Sequence, residues 1–414
     1  MSPLIRRPVL KRPLDVFLIV FCTAMTLYVL GEEVLGPGKT KDYPLWYAVG
    51  EAVRDGAPLY DTPAYLYPPF PALFFAPLTI AGKAPFYLSL LLTNALALWL
   101  ADSLSQRLAA GQQRPGPWIE MLPVIIVLPH VYDMFDLGQP NLVLLVLMLL
   151  GFLALRGKHP LLSGGLFAAA AAIKVFPVSV LPYLLWRRHW RASASFATFL
   201  AVFLVLAPAP IRGFDRNIGE LTQWFEAMKG TEDGFGQREA QNWSWKNQSV
   251  VAITHRILRP VNYRAVDPDS APATMNLLDV SYRTANLAVL GVMAALGLGF
   301  VALMLPAGRL TRTAFAEETG ILICLMTITS PLARTYYFVW LLYPLTVLVQ
   351  RAVDDERPEV RRRTWGAIAL AFVLSMLAFV DVAQAFGTNT LAALVIAGGL
   401  GWHMRNPPVR AATS

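Results

Sequence analysis

The chain has 414 residues, of which 56% are hydrophobic and only 15% charged, and it carries a formal net charge of +8. One apolar run follows another, which excludes a soluble globular enzyme and makes lipid the solvent for most of the protein. The basic residues sit in short blocks beside apolar runs, so the charge reads as the positive-inside pattern of a membrane protein and not as a nucleic-acid surface.

The first apolar run, residues 14–30, is about as long as a hydrocarbon core requires, and no small-residue cleavage site follows it, so it is expected to be an uncleaved span. Arg6, Arg7, Lys11 and Arg12 precede it, which predicts a cytoplasmic N-terminus and places residues 31–67 outside. Within that outer stretch Leu45, Val49, Ala52 and Val53 recur at helical spacing, the pattern of an amphipathic helix on the membrane with Asp42 at its N-terminal edge. Two readings of Asp42 stand side by side, helix cap and general base acting on a hydroxyl at the membrane surface.

Residues 68–80 are apolar but short and broken by Pro68, Pro69, Pro71 and Pro77, so they are expected to be interfacial or re-entrant. Further spans are expected at 85–106, 118–131, 141–155, 193–210, 282–305, 315–331, 334–350, 365–383 and 390–404. The segment 161–186 holds Lys174 and Pro177 at its middle. A single crossing would put Arg156 and Lys158 opposite Arg187, Arg188 and Arg191, whereas two short helices turning at residues 174–177 keep both basic clusters cytoplasmic. With that hairpin the chain is one integral unit, residues 1–414. It is expected to be an all-α polytopic membrane protein of about 12 transmembrane helices, with both termini inside and interfacial helices on the outer face. Four polar or aromatic regions then face outward: 31–67, 130–141, the long loop 211–282, and 330–337.

The candidate chemistry lies in those four regions and at the turn by Lys174. An intramembrane lysine is costly unless paired or beside water, so Lys174 is a candidate phosphate contact, with snorkelling to the interface as the other reading. Arg334 can grip phosphate oxygens in a bidentate fork or pair with a loop acid. Asp136, Gln139 and Asn141 crowd, with Asp133, into one outer turn, where they contact substrate or satisfy the turn's own backbone. Tyr43, Trp46, Trp243 and Trp245 are candidates to stack on sugar rings, although the aromatic belt of a membrane interface has the same composition. Tyr336 and Tyr337 follow Arg334 and are candidate substrate contacts with it. Cys22 and Cys324 lie inside apolar runs, and His130 and His255 have no partners at metal-ligand spacing, so no metal site is expected. The sequons at Asn242 and Asn247 are matches that arise often by chance. No nucleotide-binding motif is present, which argues against a nucleotide-driven engine.

Several of these pieces together resemble glycosyltransferase family 87, also known as DUF2029. They are the run from Asp42 through Gly56, Pro58, Tyr60 and Asp61 to Tyr67-Pro68-Pro69; Gly138-Gln139-Pro140-Asn141; Gly164-Gly165 with Ala172-Ile173-Lys174 and Pro177; Trp186-Arg187-Arg188-His189-Trp190-Arg191; Asn247-Gln248-Ser249; and Ser330-Pro331. The resemblance implies a GT-C fold, a sugar donor on polyprenyl phosphate, and a glycolipid or polysaccharide acceptor on the outer face. It also implies a catalytic acid in the first outer loop, at Asp42. Members include mannosyltransferases of phosphatidylinositol mannoside synthesis and enzymes of arabinan synthesis. Many carry a histidine shortly after the Ser-Pro pair, where this chain has Arg334, Thr335, Tyr336 and Tyr337, so the sugar stays open. The implied mechanism is attack of an acceptor hydroxyl on the anomeric carbon, with Asp42 as base and Lys174 and Arg334 on the departing phosphate, and it calls for no cofactor. The partners are membrane lipids, donor and acceptor, and not nucleic acid. A lipid-linked sugar flippase or other secondary transporter is the rival; it would show paired broken helices in two halves of the chain, and only the break at Lys174 is evident.

Overall fold

The computed structural model describes residues 13–35, 41–62, 65–109, 111–229, 242–267, 269–306, 308 and 310–407, and over them it is helical. In chain order the helices are α1 (Pro13–Leu35), α2 (Tyr43–Arg54), α3 (Pro69–Leu78), α4 (Lys83–Ala109), α5 (Pro117–Leu137), α6 (Asn141–Arg156), α7 (Pro160–Ile173), α8 (Val180–Trp186), α9 (Trp190–Ala201), α10 (Ala209–Arg212), α11 (Phe214–Lys229), α12 (Val250–Leu258), α13 (Tyr282–Leu303), α14 (Arg312–Thr329), α15 (Leu342–Asp354), α16 (Pro358–Met376), α17 (Asp381–Ala385) and α18 (Thr388–Arg405).

Among the described residues six helical stretches are long and apolar enough to cross a membrane: Pro13–Glu32, Lys83–Ala109, Pro117–Leu137, Trp190–Arg212, Tyr282–Leu303 and Pro358–Phe379. That corrects the expectation of about 12 crossings. The expected spans 315–331 and 334–350 fall on α14 and on a 3₁₀ segment, Thr335–Leu341, running into α15; almost every residue of these elements is buried by neighbouring helices. Their apolar side chains meet protein and not lipid. Charge is admitted there because it is paired: Arg187 holds Glu318, and Arg351 lies 3.4 Å from Glu317. The expected spans 141–155 and 390–404 become α6, an apolar helix of 16 residues, and α18, which packs on α14 and α16.

The segment 161–186 breaks as expected. Pro177 has no N–H to give the Ile173 carbonyl, α7 stops there, and Lys174 takes an extended conformation. The chain also reverses. Ser195 Oγ donates to the Leu161 carbonyl, and four residues further along both helices the Phe199 ring packs on Gly165, so α7 and α9 run in the same direction. Gly164, whose Cα faces Ala192 and Ser195, permits the close approach. Residues 174–189 must therefore return to the end where α7 began, which puts Lys158 and Arg188 at one end of the bundle and Lys174 at the other.

At the Lys174 end the loop segments lie against one another. Residues 68–80, read as interfacial, form the ten-residue α3, which packs on α2. The long loop folds back as short helices, in line with its aromatic content. Glu220 of α11 accepts from Arg212 and from the Leu59 backbone, Arg216 donates to the Gly56 carbonyl, and Trp224 Nε1 donates to the Leu66 carbonyl. These contacts lay α11 across the first loop.

Candidate active site

Asp42 precedes α2, and its position is set by the turn that ends α5. Gly138 adopts φ +77, a left-handed helix cap whose N–H returns to the Met134 carbonyl, and α6 starts three residues later, behind Pro140. The first loop is fastened to this turn at four points. Asp42 N–H donates to the Leu137 carbonyl at 3.0 Å, Tyr43 OH to the Phe135 carbonyl at 2.6 Å, Trp46 Nε1 to the Gly138 carbonyl at 2.9 Å, and buried Lys41 bridges Asp136 at 2.8 Å and Glu32 at 2.6 Å. The Asp42 carboxylate makes no helix-capping hydrogen bond, so the cap reading falls away. It accepts instead from Gln139 Nε2.

Asp42 lies at the edge of a cavity of about 270 Å³ whose wall also includes Tyr67, Gln139, Lys174, Trp224 and Arg334. All four regions expected to face outward contribute to this wall. Lys174 does not snorkel to the surface. It turns into the cavity, donates to Gln139 Oε1 at 3.1 Å and Asn141 Oδ1 at 3.2 Å, and sits 4.3 Å from the ring centre of Tyr337, 4.9 Å from Tyr336 and 5.4 Å from Tyr67. No carboxylate pairs with Lys174 or with Arg334 among the described residues; the loop acids Glu232, Asp233 and Glu239 lie outside them. Burial pushes the Asp42 carboxyl above its ordinary value of 3.8, opposed by the Gln139 hydrogen bond and by the positive charges of Lys174 and Arg334.

Arg334 is held by a motif first met as a sequon. Asn247 is 1% exposed; its Nδ2 donates to the Pro331 and Asn242 carbonyls, and its Oδ1 accepts from the Ala333 and Ser249 N–H groups. The Gln248 N–H donates to the Ala333 carbonyl and Ser249 Oγ to the Pro331 carbonyl, so Asn247-Gln248-Ser249 straps down the segment 330–334. Arg256, fully buried, braces the strap through the Ser244 and Asn247 carbonyls.

Several sequence candidates stand elsewhere. Trp243 is buried in a separate cluster, stacked on His255 at 4.2 Å, and Trp245 Nε1 is bonded to Asp267; neither lines the cavity. Tyr43, Trp46 and Asp136 hold the loop to the turn and do not line the cavity either. Asn141 reaches it only through Lys174, while Tyr336 and Tyr337 are part of its wall. Tyr67 and Trp224 line the cavity and were absent from the sequence candidates. Tyr67, immediately before the Pro68-Pro69 break, had a signal in its position where outer loop meets apolar run. Among the described residues no three His, Cys, Asp or Glu side chains gather as a metal site.

A second cavity, about 340 Å³ and almost wholly apolar, shares Tyr67 with the first and is walled by Trp46, Phe74, Phe75, Leu90 and Ile173. Phe74 is 57% exposed at its margin, and α4 beyond it presents the exposed Leu92 and Leu96.

The bond pattern at Gly138 makes a prediction. A Cβ there would lie 2.9 Å from Tyr43 ring atoms, and the positive φ would strain it by about 1–3 kcal/mol. Gly138→Ala is expected to lower the thermal midpoint by several degrees and to cut turnover on the order of tenfold or more by moving Tyr43 and, with it, Asp42. Wild-type turnover in a folded Gly138→Ala protein would show that the turn does not govern the carboxylate.

The described residues form an all-α polytopic membrane protein in which a carboxylate and two cations border one cavity, with an apolar cavity at its side. The sequence model of glycosyltransferase family 87 matches residues 65–331, and the chain belongs to that family of membrane glycosyltransferases. The matched stretch begins after Asp42 and ends before Arg334. Its relatives include proteins named polyprenol-phosphate-mannose-dependent alpha-(1-2)-phosphatidylinositol pentamannoside mannosyltransferase. The one from Mycobacterium tuberculosis is 28% identical over 335 residues, spanning 78% of this chain and 67% of the relative; the one from Mycolicibacterium smegmatis is 26% identical over 357 residues, spanning 84% and 74%. A solved structure, ArnT from Cupriavidus metallidurans bound to undecaprenyl phosphate, is 13% identical with a TM-score of 0.40, covering 94% of this chain and 77% of that one.

Proposed function

We propose that the protein moves a sugar, mannose by its relatives, from a polyprenyl phosphate donor to a lipid-linked or polysaccharide acceptor at the outer face of the membrane. The observation that carries this reading is the shared wall of the two cavities. Asp42, Lys174 and Arg334 border the polar one, and Tyr67 joins it to an apolar one that suits an isoprenoid chain. Asp42 takes the proton of the acceptor hydroxyl as that oxygen attacks the anomeric carbon. The bond from the anomeric carbon to the phosphate oxygen breaks in line, and the electron pair leaves with polyprenyl phosphate. Lys174 and Arg334 hold the phosphate oxygens and neutralise the charge that departs on them. Tyr336, Tyr337 and Trp224 present rings on which a sugar can stack.

In this reading the chain is a single GT-C unit over residues 1–414 in a bacterial cell membrane, with both termini cytoplasmic. The basic blocks before α1 and after α6 support that orientation. The test is transfer by the purified full chain in lipid vesicles, supplied with polyprenyl phosphate carrying radiolabelled mannose and an acceptor glycolipid extract. Label should pass to a new glycolipid as free polyprenyl phosphate appears. Label that crosses the bilayer while still on its carrier is the behaviour of a flippase and would overturn the proposal.

A further inference from the structure

We infer that Gln139 is a positioning residue, a spacer that keeps the cavity's base and its lysine apart and aims each at a different reactant. The inference rests on the reading of Asp42 and Lys174 above and deepens it. Gln139 is 2% exposed and its amide is turned by its neighbours. Oε1 accepts from Tyr67 OH at 2.8 Å and from Lys174 Nζ at 3.1 Å, which leaves Nε2 to donate to Asp42 Oδ2. The backbone is fixed as well, with the Gln139 carbonyl accepting from Asn94 Nδ2 at 3.2 Å and its N–H donating to the Met134 carbonyl at 3.0 Å.

A lysine and an aspartate that share one cavity attract each other toward a direct ion pair. Such a pair would quench both functions, because the carboxylate would lose basicity and the ammonium its free N–H groups. The chain Lys174–Gln139–Asp42 satisfies one valence of each group and keeps them from meeting. Asp42 retains Oδ1 for a hydroxyl proton, and Lys174 retains an N–H for a phosphate oxygen. Gln139 itself has Oε1 filled by two protein donors and Nε2 turned to Asp42, which assigns it to geometry.

The groups that face Asp42 decide the sign of the test. They are Gln139 itself, Lys174 at the end of α7, Arg334 from the strapped segment, the Tyr67 phenol ahead of α3, and Tyr336; on α5, Asp133 lies by Tyr336 and Arg334, and Asp136 is paired with Lys41. The Gln139 hydrogen bond favours the ionised carboxylate, so its removal raises the pH below which the base is protonated. Gln139→Leu keeps the bulk that separates Lys174 from Asp42 and removes all three side-chain hydrogen bonds. In the full-length protein in lipid, kcat should fall on the order of 10- to 100-fold. The acid limb of the kcat/KM profile should move to higher pH, and the donor KM should stay within about threefold of wild type, since the phosphate contacts are intact.

Gln139→Glu gives a second reading if the leucine variant does not yield folded protein. It still accepts from Tyr67 and Lys174, but it cannot donate to Asp42 and adds a negative charge, so the acid limb should move up further. A raised KM with an unmoved acid limb would make Gln139 a substrate contact and overturn the inference. An unmoved limb in both variants, with Asp42→Asn still inactive, would overturn it while leaving Asp42 as the base. An active Asp42→Asn protein would remove the underlying reading instead.

Discussion

Asp42→Asn is expected to lower turnover on the order of 100-fold or more while the protein folds and binds donor as before. The amide keeps the shape of the side chain, and the loop stays fastened through the Asp42 backbone, Tyr43, Trp46 and Lys41, none of which needs the carboxylate. What is lost is the charge that accepts the acceptor's proton. The pH profile separates this from a structural effect. Because burial holds the carboxyl above 3.8, the wild-type acid limb should lie above the range of an exposed aspartate, with activity lost as pH falls through it. Any activity left in the asparagine variant should lack that limb. Wild-type turnover by Asp42→Asn would sink the general-base role.

Lys174→Met and Arg334→Met should each weaken donor binding by about 1.5–3 kcal/mol, the range for a hydrogen bond to a charged group, or about 10- to 100-fold in affinity. Neither cation has a carboxylate partner among the described residues, so each substitution removes attraction to an incoming anion without orphaning a buried acid. Both face one phosphate, so the double variant should lose less than the sum of the single losses, and acceptor binding should hardly change. Binding is read with a polyprenyl phosphate sugar in the absence of acceptor. Unchanged donor affinity in both single variants would make the two cations structural.

Asp42, Lys174 and Arg334 were legible in the sequence because each is a charge where charge is expensive, beside or inside an apolar run. The break at Lys174 was legible because Pro177 and the two basic clusters constrain the same segment. The aromatic contacts were less so. Trp243 and Trp245 share the composition of any interfacial belt, and only the fold shows that His255 and Asp267 engage them while Trp224 reaches the cavity. The fastening of Tyr43 to the Phe135 carbonyl joins residues 92 apart, a pairing that local pattern does not carry. The number of crossings was overestimated because hydropathy does not distinguish a side chain facing lipid from one facing protein, and α14 and α15 are apolar for the second reason.

The arm that carries Lys174 is short. α7 has 14 residues, which at 1.5 Å per residue reach about 21 Å, against a hydrocarbon layer of about 30 Å. A helix of that length does not span an undeformed hydrocarbon layer. In the proposed reaction the donor phosphate would then be met below the outer headgroup level, its isoprenoid tail still in the leaflet.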